Sequence, residues 1–182
     1  MMYKLTQLCD KFTMYMKNVI YIIVLLSFSL CHIKIGDLAP SFSLLDQNKK
    51  LHSLELYKGK NIVLYFYPKN FTPGCTMQAC SLRDVNNDLK AKDVIVLGVS
   101  YDSSEKHEGF SKEHKLNFPL LSDNDKSVSK SYDSNGWFFP KRKTFIIDQN
   151  GIIIHIIDPV DINTHNDVIL SVIDSLQTEK TK

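Results

Sequence analysis

An α/β fold, with a central mixed sheet flanked by helices, follows from three features of the sequence. Residues 62–67 (IVLYFY) and 94–99 (VIVLGV) are continuous β-branched and aromatic runs, the pattern of strands buried on both faces. Between them, residues 76–90 place Ala79, Leu82, Val85 and Leu89 at helical spacing. Asp148-Gln149-Asn150-Gly151 lies between the apolar runs 144–147 and 152–157, and an Asn-Gly turn in that setting predicts a β-hairpin.

The other elements fill in around these. Residues 42–45 read as a short strand followed by the polar turn 46–50, which predicts an N-terminal β-hairpin. Strand, helix and strand within about forty residues make a βαβ unit and imply a parallel strand pair. Pro68 ends the first of these strands. Ser103 or Ser104 caps a charged helix running to about Lys115, with Glu105 in its first turn. Residues 118–121 suit a short extended piece and 127–132 a short helix. Residues 167–176 form an amphipathic helix, with Val168, Ile169, Val172, Ile173 and Leu176 inward. A parallel βαβ half joined to a β-hairpin and a final helix is the thioredoxin-like plan.

The chain has 182 residues, 22 Lys+Arg against 20 Asp+Glu, 43% hydrophobic residues and four cysteines. That length suits one domain with a real core. The near-neutral balance excludes a nucleic-acid binder that relies on a basic face. Residues 19–30 (VIYIIVLLSFSL) carry no charge, follow Lys17 and include the small residues Ser27 and Ser29. A basic start, a short apolar run and small residues describe a secretory leader, and twelve residues fall short of the roughly 20 of a membrane span. Residues 1–31 are therefore expected to be a signal peptide or N-terminal membrane anchor, with translation starting at Met1 or Met16, and residues 32–182 the folded domain. Export, to a bacterial periplasm, is the expected location, with a cytoplasmic one if the leader does not function. The only expected membrane contact is through this segment where it stays uncleaved. Setting it aside removes Cys9 and Cys31 and leaves 19 basic and 19 acidic residues.

The two remaining cysteines lie in Tyr67-Pro-Lys-Asn-Phe-Thr-Pro-Gly-Cys-Thr-Met-Gln-Ala-Cys80. Cys75 falls where a strand ends and a helix begins, and the unpaired amides and dipole of a helix start favour a thiolate. Thr72 can direct a hydroxyl into the same pocket, Pro68 and Pro73 stiffen the loop, and Gly74 permits close backbone approach. An isolated cysteine is commonly an inert buried thiol; two flanking a Pro-Gly helix start point to redox chemistry.

This segment resembles the PxxxTxxC pattern of peroxiredoxins, with Pro68, Thr72 and Cys75 in place, and TPGCTMQAC is similar to the peroxiredoxin Q or bacterioferritin comigratory subfamily. The likeness runs from about Ile35 to Leu176 and includes LRD at 82–84, NFPLLSD at 117–123 and PKRKTFIID at 140–148, where Arg142 matches the family's arginine. The stretch 132–140 is shorter than in some members. The resemblance implies that Cys75 attacks a hydroperoxide and becomes a sulfenic acid, with Arg142 stabilising the thiolate and the leaving oxygen. Thr72 and the Cys75 amide would position the peroxide, and Pro68 would shield the sulfur. Cys80 would then form the Cys75–Cys80 disulfide, which thioredoxin or a similar dithiol reopens. No cofactor or metal is implied, and members of the subfamily are often monomers. Five residues along an ideal helix separate Cα atoms by roughly 8–9 Å, whereas a disulfide needs less than about 7 Å, so the helix start is expected to unwind.

Other candidates carry less. The six histidines make no paired ligand spacing, and Asp123-Asn124-Asp125 lacks the Gly and Glu of a calcium loop, so it reads as an acidic turn. Trp137-Phe138-Phe139 reads as core packing or an interface, with a hydrophobic lip at the pocket as the reading the resemblance adds. Asn70-Phe71-Thr72 is a glycosylation sequon in the catalytic loop, expected to be unused. Two other functions remain open: an exported thioredoxin-fold thiol–disulfide oxidoreductase, disfavoured because four residues rather than two separate the cysteines, and a non-enzymatic redox sensor.

Overall fold

A computed structural model describes residues 15–16 and 32–180 of the chain. The chain divides into two units, 1–33 and 34–182. Apart from Tyr15 and Met16, the leader expected at 1–31 lies outside the described residues. Among the described residues no helix is long and apolar enough to cross a membrane.

The second unit carries seven strands: β1 (Ser43–Leu45), β2 (Leu51–Ser53), β3 (Asn61–Phe66), β4 (Val94–Ser100), β5 (Leu120–Ser122), β6 (Lys143–Ile147) and β7 (Ile153–Ile157). Its helices are α1 (Pro73–Ala91), α2 (Ser104–Glu113), α3 (Ser127–Ser131) and α4 (His165–Lys180), with a 3-10 turn at Leu54–Tyr57. The strands form one mixed sheet in the order β2-β1-β5-β4-β3-β6-β7. β3 and β4 are parallel across the α1 crossover, and β6 lies antiparallel on the other side of β3.

Every residue of β3 is buried, as a strand covered on both faces requires. Val63, Tyr65 and Tyr67 point into the main core, where Ala79, Leu82 and Leu89 of α1 and Ile169 and Ile173 of α4 meet them. The alternate residue Phe66 faces the other way, into a cluster with Tyr132 and Phe145 whose ring centroids lie 5.1–5.8 Å apart. The Tyr132 hydroxyl donates to the Pro40 carbonyl at 2.7 Å, fastening the chain before β1 to this second face.

Several boundaries differ from the sequence reading. The hairpin expected around Asp148–Gly151 joins β6 to β7: the Gly151 N–H bonds the Asp148 carbonyl at 3.0 Å and the Asp148 N–H bonds the Ile152 carbonyl at 2.8 Å. Gly151 has φ +82° while Asn150 is not left-handed, so the loop has three residues and ends in a glycine bulge. β5 begins two residues later than the extended stretch expected at 118–121. α1 starts at Pro73, at the Pro-Gly helix start, three residues before the stretch 76–90 that carries the apolar spacing. Ser103 is the cap of α2, accepting from the Lys106 N–H. Asp123 has both oxygens on the α3 start, accepting from the Val128 and Ser129 amides at 3.1 and 2.7 Å.

Gly98 of β4 makes room for side chains of the two strands beside it. A Cβ on Gly98 would lie 2.7 Å from the Tyr65 Cζ and Oη and 2.9 Å from Leu120 Cδ2. Both neighbours are buried and fixed on adjacent strands. Gly98→Ala is expected to destabilise the protein by about 1–3 kcal/mol through overpacking, read as a lower urea midpoint at unchanged slope.

Candidate active site

The site is assembled where β3 ends, α1 begins and β6 starts. Thr72 is the N-cap residue of α1 and Pro73 its first helical residue. The Thr76 N–H makes a helical bond to the Thr72 carbonyl at 2.9 Å, so the Gly74 and Cys75 amides precede the hydrogen-bonded ladder. Cys75 lies in this first turn, 1% exposed, and Cys80 lies five residues further along the same uninterrupted helix, partly buried. Both are free thiols.

Arg142 stands immediately before β6, whose pairing with β3 sets Lys143 opposite Phe66. Its guanidinium therefore reaches the start of α1, and Nη2 donates to Cys75 Sγ at 3.2 Å. Gly74 allows this approach, since a Cβ there would lie 3.6 Å from Arg142 Nη2 and 3.2 Å from Ile162 Cδ1. Thr72 is placed beside Cys75 in sequence, but its hydroxyl donates to the Lys69 carbonyl at 3.1 Å. That fixes the hydroxyl proton and turns the oxygen's lone pairs outward as an acceptor. Pro68, half-buried, closes β3 and opens the loop.

Two sets of residues escaped the sequence reading. Arg142 also donates through Nη1 to Gln78 Oε1, and Gln78 Nε2 lies 3.3 Å from His165 Nδ1. His165 Nε2 in turn lies 2.8 Å from Thr144 Oγ1. A guanidinium only donates, so Gln78 must offer it the carbonyl oxygen and turn its amide N–H toward His165. His165 Nδ1 is then the acceptor and Nε2–H the donor to Thr144, which requires a neutral ring. Gln78 lies one helical turn after Cys75, a spacing that could have flagged it; His165 has no such local signal.

The second set pins the loop before Cys75. Asp102, at the end of β4, accepts from the Asn70 N–H at 2.8 Å and from Ser100 Oγ at 3.1 Å. The Asn70 side chain, 3% exposed, accepts from the Tyr67 hydroxyl at 2.7 Å and meets His107 Nδ1 at 3.0 Å. The sequon asparagine is thus buried and engaged. Phe71 takes φ +62°, an outlier for an aromatic residue, and its ring packs on Phe110 at 5.1 Å. These partners lie 32 and 37 residues from Asn70, beyond any local pattern.

Trp137, Phe138 and Phe139 do not join the core as one sequence reading expected; they are largely exposed. Lys69 of the cysteine loop sits 5.7 Å from the Phe139 ring centroid, which places this stretch beside the site. A cleft of about 390 Å³, lined by Leu38, Pro40, Tyr57, Ile62 and Gln149, lies by the opposite end of β3 and contains none of these residues. Among the described residues no three His, Cys, Asp or Glu side chains group as metal ligands do.

Burial pushes both histidines down to about 4, with Arg142 adding to the effect on His165 and Asp102 opposing it on His107. The native state then binds fewer protons than the unfolded chain between about 6.5 and 4. Their contribution to stability is whole above that window and is lost as pH falls through it. Unfolding free energy at pH 5 is expected to fall by about 1–2 kcal/mol per histidine relative to pH 7. Urea titrations at both pH values check this, and His165→Asn should flatten the dependence.

The AhpC/TSA family model matches residues 35–156, which contain both cysteines and Arg142. The peroxiredoxin Bcp of Escherichia coli is 42% identical over 147 residues, covering 76% of this chain and 94% of that protein. The crystal structure of peroxidoxin BcpB from Mycobacterium tuberculosis superposes with a TM-score of 0.75 at 30% identity, covering 79% of this chain and 98% of the other. A structure of Xanthomonas campestris peroxiredoxin Q gives a TM-score of 0.71 at 26% identity, covering 74% and 90%. These neighbours share the mixed sheet and flanking helices of a thioredoxin fold. The chain belongs to the AhpC/TSA family, in its peroxiredoxin Q (Bcp) branch, and is a thiol peroxidase.

Proposed function

We propose that this chain reduces hydrogen peroxide and organic hydroperoxides at Cys75, resolves the product with Cys80, and is recycled by thioredoxin or a similar dithiol. The observation that carries the reading is the 3.2 Å contact from Arg142 Nη2 to Cys75 Sγ at the first turn of α1. A donor there faces the sulfur before reaction and the oxygen that takes on charge as the O–O bond breaks.

The Cys75 thiolate attacks one peroxide oxygen, and the sulfur–oxygen bond forms as the oxygen–oxygen bond breaks. Cys75 becomes a sulfenic acid, and the other oxygen leaves, protonated, as water or an alcohol. Thr72, whose hydroxyl already donates a hydrogen bond to the Lys69 carbonyl, accepts from the peroxide O–H. Gln78 holds the second arm of Arg142, and His165, in its neutral form, holds Gln78. Cys80 then attacks the sulfenic sulfur, water departs, and a disulfide remains. A dithiol reduces it by exchange and is itself oxidised.

The resolving step requires motion. Cys75 and Cys80 share one continuous helix, and ideal geometry separates their Cα atoms by roughly 8–9 Å, against the less than about 7 Å that a disulfide tolerates. Cys75, 1% exposed, must leave its pocket for Cys80 to reach it.

Stopped-flow mixing with hydrogen peroxide tests the chemistry. Cys75→Ser should abolish sulfenic acid formation, and Arg142→Ala should slow it about 100-fold. Gln78→Ala should slow it about 10–100-fold by releasing Arg142. Cys80→Ser should consume one equivalent of peroxide and then fail to turn over with thioredoxin. Peroxide consumption by Cys75→Ser at the native rate would falsify the assignment. Oxidation of the native chain should lower helical circular dichroism and deprotect amides in the first turns of α1; identical spectra and exchange would refute the unwinding step.

A further inference from the structure

Residues 134–141 form a loop that the peroxidase chemistry leaves unused. Its base is closed by the Lys141 N–H bond to the Ser134 carbonyl at 2.7 Å, and both Ser134 and Pro140 are buried. Between these anchors Trp137, Phe138 and Phe139 are 85%, 74% and 47% exposed. The backbone holds them out: a Cβ on Gly136 would lie 2.2 Å from the Phe139 carbonyl oxygen, so only glycine permits this tight a tip. One exposed aromatic residue is ordinary, whereas three in succession are a patch that marks a contact surface.

Three lysines lie beside the patch. The Lys126 ammonium donates to the Trp137 carbonyl at 3.0 Å, Lys69 lies over the Phe139 ring, and Lys141 follows the tip. From 134 to 143 the sequence contains no Asp or Glu. Trp137 pairs with the Phe138 ring at 6.4 Å, and both rings lie mostly in solvent.

We propose that residues 134–141 are a membrane-insertion loop that seats this face of the domain on an anionic lipid surface. Aromatic side chains lie at the headgroup–acyl boundary without needing a complementary pocket, and lysines beside them meet lipid phosphates. A bilayer accepts three adjacent aromatic rings without a shaped cavity, and the lysines beside them match its anionic headgroups. The uncharged run at residues 19–30, whether leader or anchor, is of the kind that brings a chain to a membrane. Docking does not depend on the peroxidase reading. Its consequence for substrate does rest on it: Lys69 belongs to the loop before Cys75, so the docked face presents the cysteine pocket to hydroperoxides carried by the lipid.

Trp137 is the single tryptophan of the chain, so its emission reports on this loop and not on the N-terminal segment. The full-length reduced protein is mixed with phosphatidylcholine vesicles containing or lacking phosphatidylglycerol, with and without brominated acyl chains. With the anionic vesicles, emission should shift to the blue and bromine should quench it. Lys141→Gln should weaken this binding about fivefold, and added salt should weaken it further. Phe138→Ser with Phe139→Ser should abolish the shift and the quenching. Unshifted, unquenched emission from protein that nonetheless sediments with the vesicles would overturn the proposal, because the N-terminal segment alone would then be bound. A shift produced by thioredoxin or by raising the protein concentration, with none from vesicles, would also overturn it and assign the patch to a protein partner.

Discussion

The antiparallel pairing of β3 with β6 is the constraint on which the site depends. Cys75 and Arg142 are 67 residues apart, and this register alone sets the arginine against the sulfur. A slip of one residue would turn Arg142 to the other face of the sheet. A slip of two would carry it roughly 7 Å along the strand, beyond hydrogen-bond reach. The register is held by burial, because β3 is covered on both faces and its alternate residues lock into two different cores. The aromatic cluster of Phe66, Tyr132 and Phe145 thus supports the chemistry without touching it.

The polar chain behind the cysteine shows how donor and acceptor roles pass through a buried network. Arg142 only donates, and this single fact orients Gln78, then His165, then Thr144. Reversing any one member leaves a buried polar atom facing another of its own kind, which costs more than the bond it replaces contributes. The same logic applies on the other side of the loop, where Asp102 and Asn70 hold a segment that includes Phe71 in a left-handed conformation.

Much of the fold was legible because its signals are local. The runs that became β3 and β4 were apolar throughout, and the helix between them carried its own period. The cysteine motif was legible through its Pro, Thr and Gly neighbours. What stayed hidden depends on distant partners. Gln78 and His165 are ordinary polar residues until β6 brings Arg142 between them and the sulfur. The start of α1 was marked by Pro73-Gly74 and not by apolar periodicity, which sets in only at Ala79. For the three aromatic residues at 137–139 hydrophobicity alone left core, interface and pocket lip open, and only their exposure excludes the core. The Asn-Gly dipeptide marked the hairpin but not its loop length, since it serves both a two-residue turn and a bulged one.

Asn70 also bears on how this protein is made. The residue sits in an intact Asn-Phe-Thr sequon, yet in the folded chain its amide is sealed between Tyr67 and His107. Folding and glycan transfer are therefore mutually exclusive at this position. In a secretory pathway that modifies nascent chains, whichever event comes first decides the fate of the molecule: a sugar attached early leaves Asn70 too bulky to enter its place, and the cysteine loop cannot close. A glycan on Asn70 and a closed cysteine loop therefore cannot coexist in one molecule.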